Sequence, residues 1–263
     1  MRIPVVAVLG TLLLGALPAG WAGADAGGRP GAGPFVALRA VDPSVVQDMR
    51  YASRRNFTGR PVDGYEEPVC LLARPAALAL RRAQRGLLLR GYSLKVYDCY
   101  RPQRAVDRFV RWAAEPEDPA VRAAFHPRVP KSRLFEEGYI ARRSGHSRGS
   151  TVDVTLVRVP GSGAPVPAGS WAGEGPCAAG AGRRDPDGSA DMGTGFDCFD
   201  PLAHTGAPEV GAGVRERREV LRRALEAEGF VNLPEEWWHF TLRPEAYPET
   251  YFDLPVRVRS AAR

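Results

Sequence analysis

From Pro75 to about Arg90 the apolar positions Leu78, Leu80, Ala83, Leu87 and Leu88 recur at helical spacing, with Pro75 in the first turn and Gly91 just past the end. The spacing predicts a helix. Leu94 to Cys99 then reads as a strand, and Pro102 opens a second helix on which Ala105, Val106, Phe109, Val110 and Ala113 share a side before the Glu115-Pro116 stop. Tyr100 and Arg101 therefore fall at a strand-to-helix junction. Residues 151–159 are β-branched and apolar and predict a central strand in which Asp153 is the odd member. A third helix fits Gly213 to Glu228, with Gly229 as its stop, and a last strand fits Trp237 to Leu242. Residues 46–69 lack sustained periodicity and read as irregular structure around a short strand. With helices and strands intermixed and no internal repeat, the expected fold class is α+β: a single domain with an antiparallel central sheet and flanking helices packed on one side.

The N-terminal end of the chain and one internal stretch break this pattern. Residues 1–24 have a positive start at Arg2, an apolar run from Val5 to Leu17 and an Ala22-Gly23-Ala24 cleavage site, which together predict a secretory signal peptide. The run is shorter than the ~20 residues of a spanning helix, so no membrane anchor is expected. Residues 25–34 offer nothing to bury and read as a flexible leader, leaving 35–263 as the folded, exported domain. Residues 160–195, rich in Gly, Ala, Pro and Ser, read as an inserted loop pinned by a disulfide.

Composition narrows the function classes. Of 263 residues, 44% are hydrophobic and 25% charged, which suits a globular domain with a real core. The net charge of +6 comes from arginines interleaved with acids, without an aromatic stripe among them, so no nucleic-acid partner is expected. Export would place Cys70, Cys99, Cys177 and Cys198 in an oxidising compartment. Of three possible pairings, Cys70 with Cys99 and Cys177 with Cys198 are favoured because each closes a moderate local loop; four buried free thiols are the alternative. The absence of a C-x-x-C pair weighs against a cysteine zinc site.

Only four histidines occur, and two of them stand near carboxylates. In the run from Ser144 to Asp153, a glycine-rich turn delivers His146 and the following strand delivers Asp153. A carboxylate inside an apolar strand needs compensation, from a metal or from an arginine. In Glu236-Trp237-Trp238-His239 the spacing is E-x-x-H, which suits Glu236 on a turn after Pro234 and His239 in the strand. Together these give two imidazoles and a carboxylate as ligands to one zinc ion, an open fourth position and a free carboxylate beside it. Arg101 is the candidate for stabilising a developing oxyanion. His126 and His204 match no ligand position and read as structural or exposed.

These residues, S-x-H-x-x-G-x-x-x-D from Ser144, E-x-W-H from Glu236 and D-x-Y-R-P from Asp98, resemble the zinc D-Ala-D-Ala dipeptidases, the VanX-like enzymes. The resemblance extends through Arg50-Tyr51, Asn56 to Tyr65, Trp112-Ala113-Ala114 and Tyr247 to Asp253. It implies the α+β fold shared by D,D-peptidases and the Hedgehog signalling domain, with zinc held by His146, Asp153 and His239. It also implies Glu236 as general base, Arg101 as oxyanion stabiliser, Tyr51, Ser144 and Asp197 as holders of a small dipeptide substrate, and Asp98 as a support behind the ligands. Asp197 would partner the substrate ammonium. Two departures stand out: Thr151 replaces the usual alanine, and the segment around 160–192 is longer than in compact members. The competing readings are a D,D- or L,D-carboxypeptidase acting on peptidoglycan stem peptides and, from another class, a zinc binding module without turnover.

Overall fold

A computed structural model describes residues 33–159, 176–184 and 187–261. The expected signal peptide, most of the leader, and residues 160–175 and 185–186 of the expected loop lie outside them. The chain runs through β1 (Val36–Ala37), α1 (Leu38–Val41), β2 (Val46–Gln47), β3 (Leu71–Leu72), α2 (Arg74–Leu88) and β4 (Tyr92–Asp98). It continues with α3 (Gln103–Ala114), α4 (Pro119–Phe125), β5 (Thr151–Arg158), α5 (Ala212–Glu226), β6 (Phe230–Asn232) and β7 (His239–Leu242), joined by loops and short 3-10 turns.

One sheet has the order β2-β4-β5-β7-β6, and β1 pairs with β3 outside it. Three of the four pairings in the sheet are antiparallel, but β2 runs parallel to β4. The sheet is therefore mixed, which corrects the expected antiparallel one. The cause is the connection: β3 and α2 lie between β2 and β4, and a crossover through a helix returns the chain in its original direction.

Side chains alternate between the faces of a strand. On β5 this sends Val152, Val154 and Leu156 to one face, where they join the core with Leu80 and Leu87 of α2 and Leu221 and Leu225 of α5. Thr151, Asp153 and Thr155 take the other face. Register places Lys95 opposite Thr155 and Asp98 opposite Asp153, so the second face is a polar row, buried like the first. Asp98 reaches this row only because the pairing slips between Val96 and Asp98; regular alternation would send it to the apolar face. The helices are not confined to one side: α3 stands by the polar face, where Phe109 of α3 lies under Arg101.

Local details follow the chemistry of the sequence. Pro75 occupies the first turn of α2, and Gly91 beyond its end takes φ +75°. The buried stripe of α2 is Ala76, Ala77, Leu80, Ala83 and Leu87, whereas Leu88, expected within it, is 39% exposed. Gln84 is buried in that stripe because its side chain bonds Ser93 Oγ and Leu94 N at 2.8 and 2.7 Å, tying α2 to β4. Both favoured disulfides form, Cys70 to Cys99 and Cys177 to Cys198, and no free cysteine remains.

Candidate active site

The polar face of the sheet builds the site by register. Asp98 of β4, Asp153 of β5 and His239 of β7 are direct cross-strand neighbours, so three functional side chains stand in one row across three strands. His146 enters from a 3-10 turn, Gly145–Arg148, in which Ser144 Oγ accepts from His146 N at 3.2 Å. The turn ends at Gly149 with φ +76°, where a Cβ would stand 2.2 Å from the Phe35 ring. A Cβ on Gly145 would meet Thr151 Oγ1 at 2.8 Å. Thr151 in turn shares a hydrogen bond of 2.9 Å with Thr241 Oγ1 on β7, which satisfies the extra hydroxyl.

Among the described residues, His146, Asp153 and His239 form the one group of three metal-ligating side chains, with ligand atoms all within 4.8 Å of one another. Asp153 Oδ1 lies 3.3 Å from His146 Nε2 and 3.1 Å from His239 Nδ1. It is nonetheless buried without a hydrogen-bond partner. The reason is visible at the far side of His146, where Nδ1 donates to the Cys99 carbonyl at 2.7 Å. A neutral His146 then presents the lone pair of Nε2 to another acceptor. A shared cation resolves that conflict, and two imidazoles with one carboxylate are the donor chemistry of a catalytic zinc centre with an open position. The residues fit zinc.

Glu236 sits between two turns with its Oε2 3.4 Å from His239 Nδ1, and His239 opens β7, as the E-x-x-H spacing suggested. Burial, with Asp153 and Asp197 nearby, pushes the Glu236 carboxyl well above the usual range. Arg101 donates from Nε to Asp98 at 2.9 Å, reaches Asp153 Oδ2 at 3.5 Å and lies over the Tyr51 ring. Asp98 is fully buried and also accepts from Tyr65 Oη at 2.6 Å, so its carboxylate aims Arg101 along the ligand row.

Tyr51 Oη donates to both oxygens of Asp197, at 3.1 and 2.9 Å. Asp197 is the one non-glycine residue with positive φ, +57°, among the described residues, and it is flanked by Phe196 and the disulfide-bonded Cys198. Burial, with Asp153 nearby, pushes its carboxyl well above the usual range. Tyr51, Arg101, Ser144, Asp153, Asp197, Glu236 and His239 line a single cavity of about 260 Å³. That is below the roughly 300–1,000 Å³ of drug-sized pockets and suits a small ligand. Its walls include Phe57, Phe109, Tyr139, Phe199 and Trp238, to which the sequence alone assigns no site role, although Phe57 and Trp238 stand within its motifs. His126 is buried against the Val129 carbonyl, and His204 meets Tyr139 Oη at 3.3 Å, so neither is a ligand.

A family model described as D-ala-D-ala dipeptidase matches residues 32–171 and 182–257. The chain is 38% identical over 224 residues to a D-alanyl-D-alanine dipeptidase of Streptomyces coelicolor, covering 85% of this chain and 98% of that protein. It is 38% identical over 222 residues to one of Enterococcus faecalis, covering 84% and 98% respectively. A D-alanyl-D-alanine dipeptidase of Escherichia coli is 29% identical over 216 residues, covering 81% of this chain and 88% of its own length.

Proposed function

Since the chain belongs to the D-Ala-D-Ala dipeptidase family of zinc hydrolases, we propose that it cleaves the D-alanyl-D-alanine dipeptide to two molecules of D-alanine. The observation that carries this reading is one small cavity lined by Asp153 and His239 of the candidate ligand triad, the buried Glu236 carboxyl, the Arg101 guanidinium and the Tyr51–Asp197 pair. Zinc held by His146, Asp153 and His239 would supply a Lewis acid that polarises the scissile carbonyl and lowers the pKa of water. Glu236 takes a proton from the attacking water and delivers it to the leaving amine as the C–N bond breaks. Its raised pKa suits both halves of that transfer. Arg101 stabilises the carbonyl oxygen as it gains charge, its orientation fixed by Asp98. Asp197, oriented by Tyr51, pairs with the substrate ammonium, and that ion pair relieves a buried carboxylate.

The two disulfides and the features of residues 1–24 support an exported enzyme working outside the cytoplasm. A carboxypeptidase acting on stem peptides shares the chemistry but needs room beyond a dipeptide, which a cavity of about 260 Å³ does not favour. A binding module without turnover has no use for Glu236 and Arg101 together. D-alanine release by zinc-loaded protein decides among them. Cleavage of the dipeptide, lost by about 10²–10⁴-fold in Glu236→Ala, is the expected result. Cleavage of a stem pentapeptide ending in D-Ala-D-Ala would move the protein to the carboxypeptidases, and no cleavage with zinc bound would leave the binding module.

A further inference from the structure

The Tyr51–Asp197 pair stands on two irregular segments, a 3-10 turn Arg50–Ala52 and a loop in which Asp197 takes φ +57°. A residue other than glycine keeps such a backbone where its surroundings impose it. Both sides of the pair lead to one carboxylate that the mechanism above does not use and that stands outside the walls of the cavity, Asp187. On the Tyr51 side, the preceding residue Arg50 donates from Nη2 to Asp187 Oδ2 at 3.0 Å and from Nε to Asp48 at 2.9 Å, so the turn is held at its first residue. On the Asp197 side, the Tyr97 hydroxyl donates to the same Asp187 oxygen. The Tyr97 ring stacks on Phe196, the residue before Asp197, with centroids 4.5 Å and planes 16° apart. Arg50 and Lys95 both lie against that Tyr97 ring, 5.0 and 4.8 Å from its centroid.

The Asp197 loop has other anchors, and their places show what they leave open. Trp237 Nε1 donates to Thr194 Oγ1 at 2.8 Å, and a disulfide ties Cys198 to Cys177. These hold the loop at residues 194 and 198. The backbone between them is fixed through Phe196, which also meets Trp238 edge-on at 5.5 Å. One Asp187 oxygen therefore supports both partners of the Tyr51–Asp197 hydrogen bonds, by two routes that meet only at that bond. We propose that Asp187 is a positioning residue for the amine-binding pair: through Arg50 on one side, and through Tyr97 and Phe196 on the other, it fixes Tyr51 and Asp197 against each other and so sets how tightly the substrate ammonium is held. The inference rests on the dipeptidase reading for the identity of the amine and names what aligns the residues that receive it.

The test measures D-Ala-D-Ala hydrolysis by zinc-loaded wild type, Asp187→Asn, Tyr97→Phe and Asp197→Asn, and by each of the first two variants combined with Asp197→Asn. Tyr97→Phe keeps the stacked ring and removes only its hydroxyl, so it carries the test if Asp187→Asn does not fold. Either variant should raise KM about tenfold, within the coupling range of residues in one hydrogen-bond network, with kcat and zinc affinity much less affected. In the Asp197→Asn background both rises should vanish, because no anion is left to aim. No rise in KM, a rise that persists undiminished in that background, or an equal loss in kcat would overturn the proposal. Hydrogen exchange reads the same coupling without substrate, at the Gly195 and Phe199 amides that bond the Cys177 and Phe125 carbonyls. Exchange there should quicken in Tyr97→Phe while the amides of β5 stay protected, and unchanged exchange would count against the proposal. If wild type leaves D-Ala-D-Ala uncleaved but exchange quickens in the variant, the dipeptidase reading falls and the role of Asp187 stands. Hydrolysis that depends on neither Asp187 nor Tyr97 would keep that reading and sink the role.

Discussion

Two charged clusters share the polar face of the sheet, and they are built on opposite principles. Around Lys95, every charge has its complement. Asp187 Oδ2 accepts from Arg50 at 3.0 Å and Lys95 at 2.9 Å and from the Tyr97 hydroxyl, Asp187 Oδ1 accepts from Ser189 N at 2.9 Å, and Asp48 lies 2.9 Å from Arg50. Burial of Lys95 and Arg50 is thereby compensated, and Asp187 stays below the usual carboxylate range because Lys95 and Arg50 outweigh its burial. Two strand positions away, at Asp153, acceptors face one another and an oxygen is buried without a donor. The first cluster is complete as protein; the second is complete only with a cation. Equal burial therefore marks a charge already paired by protein in one place and a candidate metal centre in the other.

Breaking the closed cluster should give the larger effect. Asp187→Ala leaves Lys95 and Arg50, with side chains 3% and 8% exposed, short of their main anion, and should cost about 3–5 kcal/mol in urea unfolding. A loss below 1 kcal/mol would mean that Asp48 alone suffices and that the cluster is not closed in the sense argued. Filling the open cluster should work in the opposite direction. Zinc at 100 times its Kd should stabilise the protein by about 2.7 kcal/mol, seen as a rise in the thermal midpoint, and His146→Ala should remove that rise. A zinc shift that survives in His146→Ala would place the metal elsewhere. The smallest effect belongs to the neutral polar pair on the same face. Thr151→Val strands the Thr241 hydroxyl and should cost about 1 kcal/mol, without altering zinc binding; altered binding would show that the pair helps set the His146 turn through Gly145.

What was legible in the sequence depended on how locally it was encoded. The helices of α2, α3 and α5 and the strands β4, β5 and β7 carry their own periodicity and stops, and they lie where the pattern placed them, within a few residues. The candidate site residues are encoded as locally: His146 and Asp153 lie within one short run, and Glu236 and His239 within another. Two-residue strands such as β2 and β3 are too short to show a period, so the parallel pairing at the sheet edge could not be read. Asp98 was noticed as a motif residue, but its place in the ligand row depends on a slip in strand register that no composition reveals. Asp187 passed unremarked inside a Gly- and Pro-rich stretch, because its partners Lys95 and Arg50 are 92 and 137 residues away. The left-handed backbone at Asp197 was invisible for a related reason: the residue tolerates that conformation but does not demand it.

The row of Asp98, Asp153 and His239 has one more consequence. Its spacing is inherited from the hydrogen-bond ladder, with neighbouring strands about 4.8 Å apart, so the two strand-borne members of the candidate ligand group, Asp153 and His239, are held by the sheet itself. The other groups proposed to act, His146, Arg101 and Glu236, and those proposed to hold the substrate, Tyr51, Ser144 and Asp197, stand on turns and loops outside the strands. Loops of this kind can be exchanged while the ladder keeps Asp153 and His239 in register, so a scaffold built this way can change what surrounds those two positions without moving them.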